Sequence, residues 1–230
     1  MVFKIGDLLL TPEKAIVVKK TAIISDLHLG IENVLLDRGI HIPRMQVDEI
    51  IKNTKEIIEK YSINRLVIAG DLKHEFSRNL PYEWDDVKRF LDEIDVEIEV
   101  VRGNHDNYLG VILSKYDILL VDELSIENWR IVHGHRNCDS NKILMGHEHP
   151  AIKIRFEGGF YTFPCYLKIS DERRVVVVMP AFSPILPGSN ILNLDSFLSP
   201  ILKNVKLGEV EVYGIADDVF YLGRVSNLMV

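Results

Sequence analysis

Short aliphatic runs alternate with helical patterns in the first half of the chain, and this order limits the folds that the sequence can adopt. Strands are predicted at residues 22–25, 66–69 and 98–101, and helices are predicted between them at residues 44–61 and 81–94. Such alternation is typical of parallel strands joined by crossover helices. We therefore predict an α/β fold whose ligands bind beyond the carboxyl ends of the strands.

The second half of the sequence has a different pattern. After His105 it consists of short β-like runs at residues 118–121, 130–133, 143–145, 151–156, 161–169 and 175–179, and closing strands are predicted at residues 205–213 and 219–225. A hairpin is predicted before the first helix, because residues 8–10 and 15–18 flank a proline-containing turn. We expect a second, more antiparallel sheet, with residues 1–230 forming one domain.

Composition excludes some classes of protein. The net charge of −7 disfavours the broad basic surface of proteins that coat nucleic acid. Every apolar run is much shorter than a bilayer span, and the first residues lack the basic head of a secretory signal. We expect a cytoplasmic protein with no membrane contact.

Five short polar blocks carry the chemistry, and four of them follow an aliphatic run. They are Asp26-Leu27-His28, Gly70-Asp71, Gly103-Asn104-His105-Asp106, His133-Gly134-His135 and Gly146-His147-Glu148-His149. Each block alone is a weak signal, but together they supply carboxylate, amide and imidazole groups at predicted strand ends. In the first block, the alternation of a regular strand would make Asp26 and His28 point the same way. The set predicts a site for two metal ions.

The mixture of donor types indicates which metals would bind. Carboxylate and amide oxygens combined with imidazole nitrogens suit divalent transition metals better than calcium or magnesium, which favour shells of oxygen alone. We expect two such ions, with manganese as the first choice and iron, nickel or zinc as alternatives. One aspartate such as Asp71 can bridge two ions.

In this order, the blocks resemble the motifs of the calcineurin-like metallophosphoesterases, over residues 26–149. Residues 70–76 and 179–182 are further similar to a small single-domain branch of predicted phosphoesterases, some of which are linked to DNA ligase and helicase partners. The resemblance implies a four-layer α/β/β/α sandwich of two mixed sheets flanked by helices. It also implies a binuclear metal centre at the strand ends.

The resemblance assigns the ligands residue by residue. One ion would take Asp26, His28, Asp71 and His149, and the other would take Asp71, Asn104, His133 and His147. His135 is the alternative to His133, although the family pattern favours the residue directly after the strand. If it is not a ligand, His135 could face the substrate.

The resemblance also implies a mechanism of hydrolysis. A metal-bridging hydroxide would attack phosphorus in line, while His105 would donate a proton or hydrogen bond near the phosphate. Asp106 would orient His105. Two ions, two aspartates and a hydroxide leave about one net positive charge, which matches a phosphodiester anion.

The substrate is predicted from fewer residues. His74 lies in a Gly-Asp-Leu-x-His context that resembles the repair nucleases of the family, so single-stranded or damaged nucleic acid is a candidate substrate. The segment Phe76 to Trp84, with Arg78, Tyr82 and Trp84, could form a lip that grips phosphate and stacks bases. Substrate contacts are therefore predicted for His74, Arg78 and His135.

Two other functions remain open. A phosphomonoesterase would need more positive charge to bind a dianion, and a non-catalytic scaffold would keep the fold without the chemistry. The presence of His105 and of every expected ligand favours an enzyme. The sequence identifies no protein partner, and a homo-oligomer stays open.

Overall fold

The computed structural model describes residues 2–77 and 80–228. Its first sheet has seven strands that lie side by side in chain order. They are β1 (Phe3–Ile5), β2 (Leu8–Leu10), β3 (Ile16–Val18), β4 (Thr21–Ile24), β5 (Arg65–Ala69), β6 (Glu97–Val101) and β7 (Leu120–Val121). The predicted hairpin is the antiparallel pair β2–β3. Strands β4, β5, β6 and β7 run parallel, as the alternation predicts for the first three.

Helices cover one face of this sheet. They are α1 (Ile31–Asp37), α2 (Gln46–Tyr61), α3 (Pro81–Glu93) and α4 (Leu109–Leu113). Helix α2 starts two residues later than predicted, because the Glu32 carboxylate accepts the backbone N–H groups of Met45 and Gln46 at 2.8 Å each and fixes the first turn there. Met45 is 60% exposed and does not belong to the apolar face.

The second sheet is mixed, and β12 is antiparallel to its neighbours β11, β13 and β15. Its strands are β8 (Leu124–Ile126), β9 (Trp129–Val132), β10 (Lys142–Met145), β11 (Pro150–Phe156), β12 (Gly159–Ser170), β13 (Val175–Val178), β14 (Ser189–Asn190), β15 (Glu211–Ile215) and β16 (Val219–Arg224). The strand predicted at residues 205–213 is wrong in its first half, where Leu207–Glu209 forms a turn of 3-10 helix. Helix α5 (Val225–Leu228) follows β16.

Three apolar clusters separate four layers. In β4, Ala22 and Ile24 pack against the helices, whereas Ile23 faces the second sheet. Both faces of such a strand are buried, which explains why it appears in the sequence as a continuous aliphatic run. The outer face of the second sheet is covered by short 3-10 turns and α5. The predicted fold of two mixed sheets with flanking helices is confirmed.

Among the described residues, no helix is both long and apolar enough to cross a membrane.

Candidate metal centre

The five polar blocks follow strands β4, β5, β6, β9 and β10, and the structure brings them together at one edge of the two sheets. Backbone hydrogen bonds join the blocks directly. The N–H of Asp26 donates to the Gly70 carbonyl at 3.0 Å, and the N–H of His28 donates to the Asp71 carbonyl at 2.9 Å. The N–H of Gly146 donates to the His133 carbonyl at 3.1 Å. These bonds join the loop after β4 to the loop after β5, and the loop after β9 to the loop after β10.

Five of the predicted ligands have a left-handed backbone. Their φ angles are 60° at Asp26, 49° at His28, 53° at Asp71, 70° at His147 and 45° at His149. This conformation is uncommon for residues with a side chain, and such strain concentrates at functional sites. The expectation that a regular strand aims Asp26 and His28 is wrong, because both residues lie beyond the end of β4 and the two left-handed residues direct the side chains.

Asp26, His28 and His149 form the first group of donors. One ligand atom from each of these three side chains lies within 4.8 Å of the others. The closest pair is Asp26 Oδ1 and His149 Nε2, at 3.1 Å. His28 Nε2 lies 3.6 Å from Asp71 Oδ2. All four side chains predicted to hold the first ion are therefore neighbours.

The second group converges on His133 Nε2. Three acceptor atoms surround this nitrogen: Asn104 Oδ1 at 3.1 Å, His147 Nδ1 at 3.1 Å and Asp71 Oδ2 at 3.2 Å. These are the side chains predicted for the second ion. Asp71 Oδ2 is common to both groups, as a bridging carboxylate requires.

The protonation of these groups suits a cation. His133 Nδ1 donates to the Ala69 carbonyl at 3.1 Å, so the lone pair of a neutral ring is on Nε2. His28 Nε2 is buried and has no hydrogen-bond partner among the described residues. Burial lowers the pKa of His28 to about 3 and that of His147 to about 4, so both rings are neutral at pH 7, the form in which an imidazole can bind a metal.

The charge of the cluster also calls for a cation. Asp26 and Asp71 are almost completely buried. Burial lowers the pKa of His133, but its hydrogen bond with Asp71 and the charge of that carboxylate outweigh burial and raise the pKa to about 9. Without a metal ion, the carboxylates therefore hold a proton on His133. The donors present fit one or two divalent ions in its place.

Two glycines make room for the carboxylates. A Cβ atom at Gly103 would lie 2.0 Å from Asp71 Oδ1, and one at Gly146 would lie 2.4 Å from Asp26 Oδ2. No side chain can occupy either position without displacing a predicted ligand. Close approach thus explains the first residue of the Gly-Asn-His-Asp and Gly-His-Glu-His blocks.

Asp106 holds the loops rather than the His105 ring. Its fully buried carboxylate accepts four backbone N–H groups: Gly103 at 2.7 Å, Asp71 at 2.8 Å, Leu72 at 3.0 Å and Lys73 at 3.4 Å. Burial, aided by the charge of Asp71, raises the pKa of Asp106 to about 6. The expectation that Asp106 orients His105 is wrong; Asp106 instead fixes the backbone of the bridging aspartate.

His105 is oriented by His74. Its Nδ1 lies at the His74 carbonyl oxygen, and its backbone N–H donates to Asp71 Oδ1 at 2.8 Å. The two imidazole rings stack with centroids 5.3 Å apart. His74 Nδ1 also lies 3.2 Å from His28 Nδ1, so His74 contacts both a predicted ligand and the predicted acid.

The other predicted substrate contacts differ in position. The His135 ring lies 5.4 Å from the His133 ring, and its Nδ1 is buried with no partner among the described residues. Arg78 lies outside the described residues. Trp84 packs against the core beneath the helices, so the lip expected from its indole is wrong.

Gln46 is a positioning residue that the sequence interpretation missed. Its amide Nε2 donates to the carbonyls of Leu27 at 3.0 Å and His28 at 3.1 Å, and to Ser183 Oγ at 2.9 Å. It is buried, and it is the only glutamine in the chain. A lone amide at the start of an apolar helix is the sequence signal that could have identified it.

Two mixed sheets that bring buried carboxylates and histidines together at one edge define a class of metal-binding α/β hydrolases. The model of the calcineurin-like phosphoesterase family matches residues 19–196. The chain belongs to this family of metal-dependent hydrolases. No curated protein matches the chain significantly in sequence.

Two solved structures are similar to the chain to different degrees. The nuclease MPE of Pseudomonas putida has 21% sequence identity and a TM-score of 0.68, covering 96% of this chain and 99% of that chain. The phosphoesterase YfcE of E. coli has 17% identity and a TM-score of 0.44, covering 84% of this chain and 87% of that chain. The similarity to MPE shows a common fold over almost all of both chains.

Proposed function

We propose that this protein hydrolyses phosphodiester bonds at a binuclear centre of divalent transition-metal ions, with manganese as the first choice. Asp26, His28, Asp71 and His149 would hold one ion. The other would bind to Asp71, Asn104, His133 and His147. The observation that carries the proposal is the convergence of three acceptor atoms on His133 Nε2 at 3.1–3.2 Å.

Those distances are the ones expected between ligands of one ion. Donor atoms at about 2.1 Å from a metal and at right angles to each other are about 3.0 Å apart. A proton on His133 holds these groups together in the absence of metal, and a divalent ion would take the place of that proton. Because Asp71 Oδ2 borders both groups, the two ions would be adjacent.

Bound divalent ions supply an activated water at neutral pH and stabilise charge on phosphate oxygens. The protein contributes the proton for the leaving group. With Nδ1 donating to the His74 carbonyl, His105 keeps Nε2 for the substrate, and its protonated form can donate from that atom. The stacked ring of His74 prevents His105 from rotating away.

Two observations favour a nucleic-acid diester. His74, which follows Asp71 in the nuclease-like context, lies against both His28 and His105, with ring centroids 5.2 Å and 5.3 Å away. The Pseudomonas putida protein with the same fold is described as a nuclease. A diester carries one negative charge, which matches the small net positive charge of the centre with its ions.

Hydrolysis of model esters tests the proposal. We expect manganese-dependent turnover of bis-p-nitrophenyl phosphate that exceeds turnover of p-nitrophenyl phosphate, followed by cleavage of single-stranded DNA or RNA. Asp71→Asn should lose metal and activity together, since it removes the charge that both ions need. Asp217→Asn is the matched control, because Asp217 is exposed in the turn after β15.

The outcomes separate the alternatives. Faster turnover of the monoester would make the protein a phosphomonoesterase. No turnover with manganese, iron, nickel or zinc would favour the scaffold. Full metal content and activity in purified Asp71→Asn would refute the proposed centre.

A further inference from the structure

We propose that Phe76 and Tyr108 form a stacking surface beside His105 that binds an unpaired nucleobase next to the scissile phosphate. The inference rests on the proposed function and names its substrate more closely: a single-stranded end or an unstacked segment rather than an intact duplex. Phe76 lies in the segment that the sequence predicted as a stacking lip, and the proposal assigns the stacking to Phe76 and Tyr108 instead of Trp84.

Phe76 is an exposed aromatic ring at the candidate site. It is 58% exposed, and its centroid lies 6.1 Å from that of His105 at an interplanar angle of 87°. The edge contact with His105 leaves much of the ring surface open to solvent. Its position beside His105 distinguishes Phe76 from exposed rings elsewhere on the surface, such as Phe220 and Tyr221 on β16.

Tyr108 is exposed and has an unfavourable backbone conformation. It is 58% exposed, and its φ angle is +66°, in the left-handed region that bulky side chains avoid. The residue lies three positions after His105, at the start of α4. A strained backbone that presents an aromatic ring to solvent indicates a function for that ring.

A hydrogen bond connects the two segments. Asn107 Nδ2 donates to the Phe76 carbonyl at 3.1 Å, so the residue before Tyr108 is tied to Phe76. His105 Nδ1 lies at the His74 carbonyl two residues before Phe76. The loop after β5, which carries Phe76, and the loop after β6, which carries Tyr108, are therefore joined beside His105.

The position of this surface determines its ligand. A group that reaches Phe76 from a phosphate near His105 is attached to that phosphate by an ester bond. In a nucleic acid this group is a nucleoside, whose base has a flat face that stacks on aromatic rings. A base paired within a duplex is already stacked on its neighbours, so only an unpaired base is free to bind here.

Dinucleotides with one phosphodiester bond test the proposal, since the cleaved bond is known. Three substrates are compared: thymidylyl-thymidine and its two analogues in which one or the other nucleoside lacks its base. With wild-type protein, we expect kcat/KM for one abasic analogue to be about ten-fold lower than for thymidylyl-thymidine, as the loss of one stacked base predicts.

Substitutions of the two rings test which residues cause the preference for thymidylyl-thymidine over the abasic analogue. Phe76→Leu and Tyr108→Leu should each lower kcat/KM for thymidylyl-thymidine while leaving the sensitive abasic analogue almost unaffected, so that the preference disappears. Phe220→Leu and Tyr221→Leu are matched controls on β16, where both rings are 50% exposed, and they should keep the preference. Melting temperatures measured for all four variants verify that each protein is folded.

The possible negative results lead to different conclusions. A wild-type protein that hydrolyses bis-p-nitrophenyl phosphate but treats the three dinucleotides alike overturns the stacking surface and leaves the proposed function intact. A variant that slows all three dinucleotides equally assigns Phe76 or Tyr108 a structural role and also overturns it. Absence of any diester hydrolysis refutes the proposed function itself.

Discussion

Asp106 ties the loop after β5 to the loop after β6, so its removal tests how the candidate centre is held in place. Its carboxylate accepts three backbone N–H groups within 3.0 Å and a fourth at 3.4 Å, in a fully buried position. Asp106→Ala leaves these donors buried without their acceptor. At about 1.5 kcal/mol for each of the three short bonds, the free energy of unfolding should fall by about 4.5 kcal/mol.

The assay is urea denaturation of metal-free protein at pH 8, where Asp106 is ionised because its pKa is about 6. Asp171→Ala is the matched control. Asp171 also accepts two backbone N–H groups, from Arg173 at 2.8 Å and Arg174 at 2.9 Å, but it is exposed. Water can satisfy those groups after the substitution, so the loss should stay below about 1 kcal/mol.

The test is the difference between the losses of stability in Asp106→Ala and Asp171→Ala. Equal losses of stability at Asp106 and Asp171 would refute the reasoning, because Asp106 is buried and accepts more backbone hydrogen bonds than the exposed Asp171. In the metal-loaded protein, Asp106→Ala should also bind metal more weakly, since Asp71 loses the contact that fixes its backbone.

Two further predictions concern a glycine and a buried lysine. Gly103→Ala should reduce metal-dependent turnover about a hundred-fold by pushing Asp71 Oδ1 aside. Gly110→Ala is the control and should keep activity, because a Cβ atom at this helix position has no neighbour within 4 Å. Equal activity of the two variants would contradict the close approach of Gly103 to Asp71. Burial lowers the pKa of Lys14 to about 8. Between pH 8 and about pH 10.4 the unfolded chain therefore binds more protons than the folded protein. The free energy of unfolding of wild type relative to Lys14→Met should rise over this window by up to about 3 kcal/mol, measured by denaturation. A difference that does not change with pH would contradict this.

The sequence predicted the parallel strands well where both faces of a strand are buried. Strands β4 and β5 contain the aliphatic runs 22–24 and 66–69, and the helices between the strands show apolar spacing. Strand β6 carries Glu97 and Glu99 and is buried only at Val100 and Val101. The predictions failed where contacts with distant residues, rather than the local sequence pattern, set the structure. The start of α2 depends on the Glu32 carboxylate, and residues 205–213 turn at Leu207–Glu209 before pairing with β12.

By itself, the sequence indicated which residues could carry the chemistry and in what order they occur. Aspartate, asparagine and histidine after aliphatic runs can be recognised because their donor atoms and their strand-end positions are both local properties. The family resemblance of the five blocks rests on this local information, and the match over residues 19–196 supports it.

Only the tertiary structure decided how those residues meet. Asp26 and His147 are 121 positions apart and become neighbours because β4 and β10 end at the same edge of the packed sheets. The left-handed backbone at five predicted ligands is not encoded locally, since residues with a side chain seldom adopt it without surrounding contacts. The partners of Asp106, the capping of α2 and the exposure of Phe76 likewise follow from packing between distant segments, which no local pattern records.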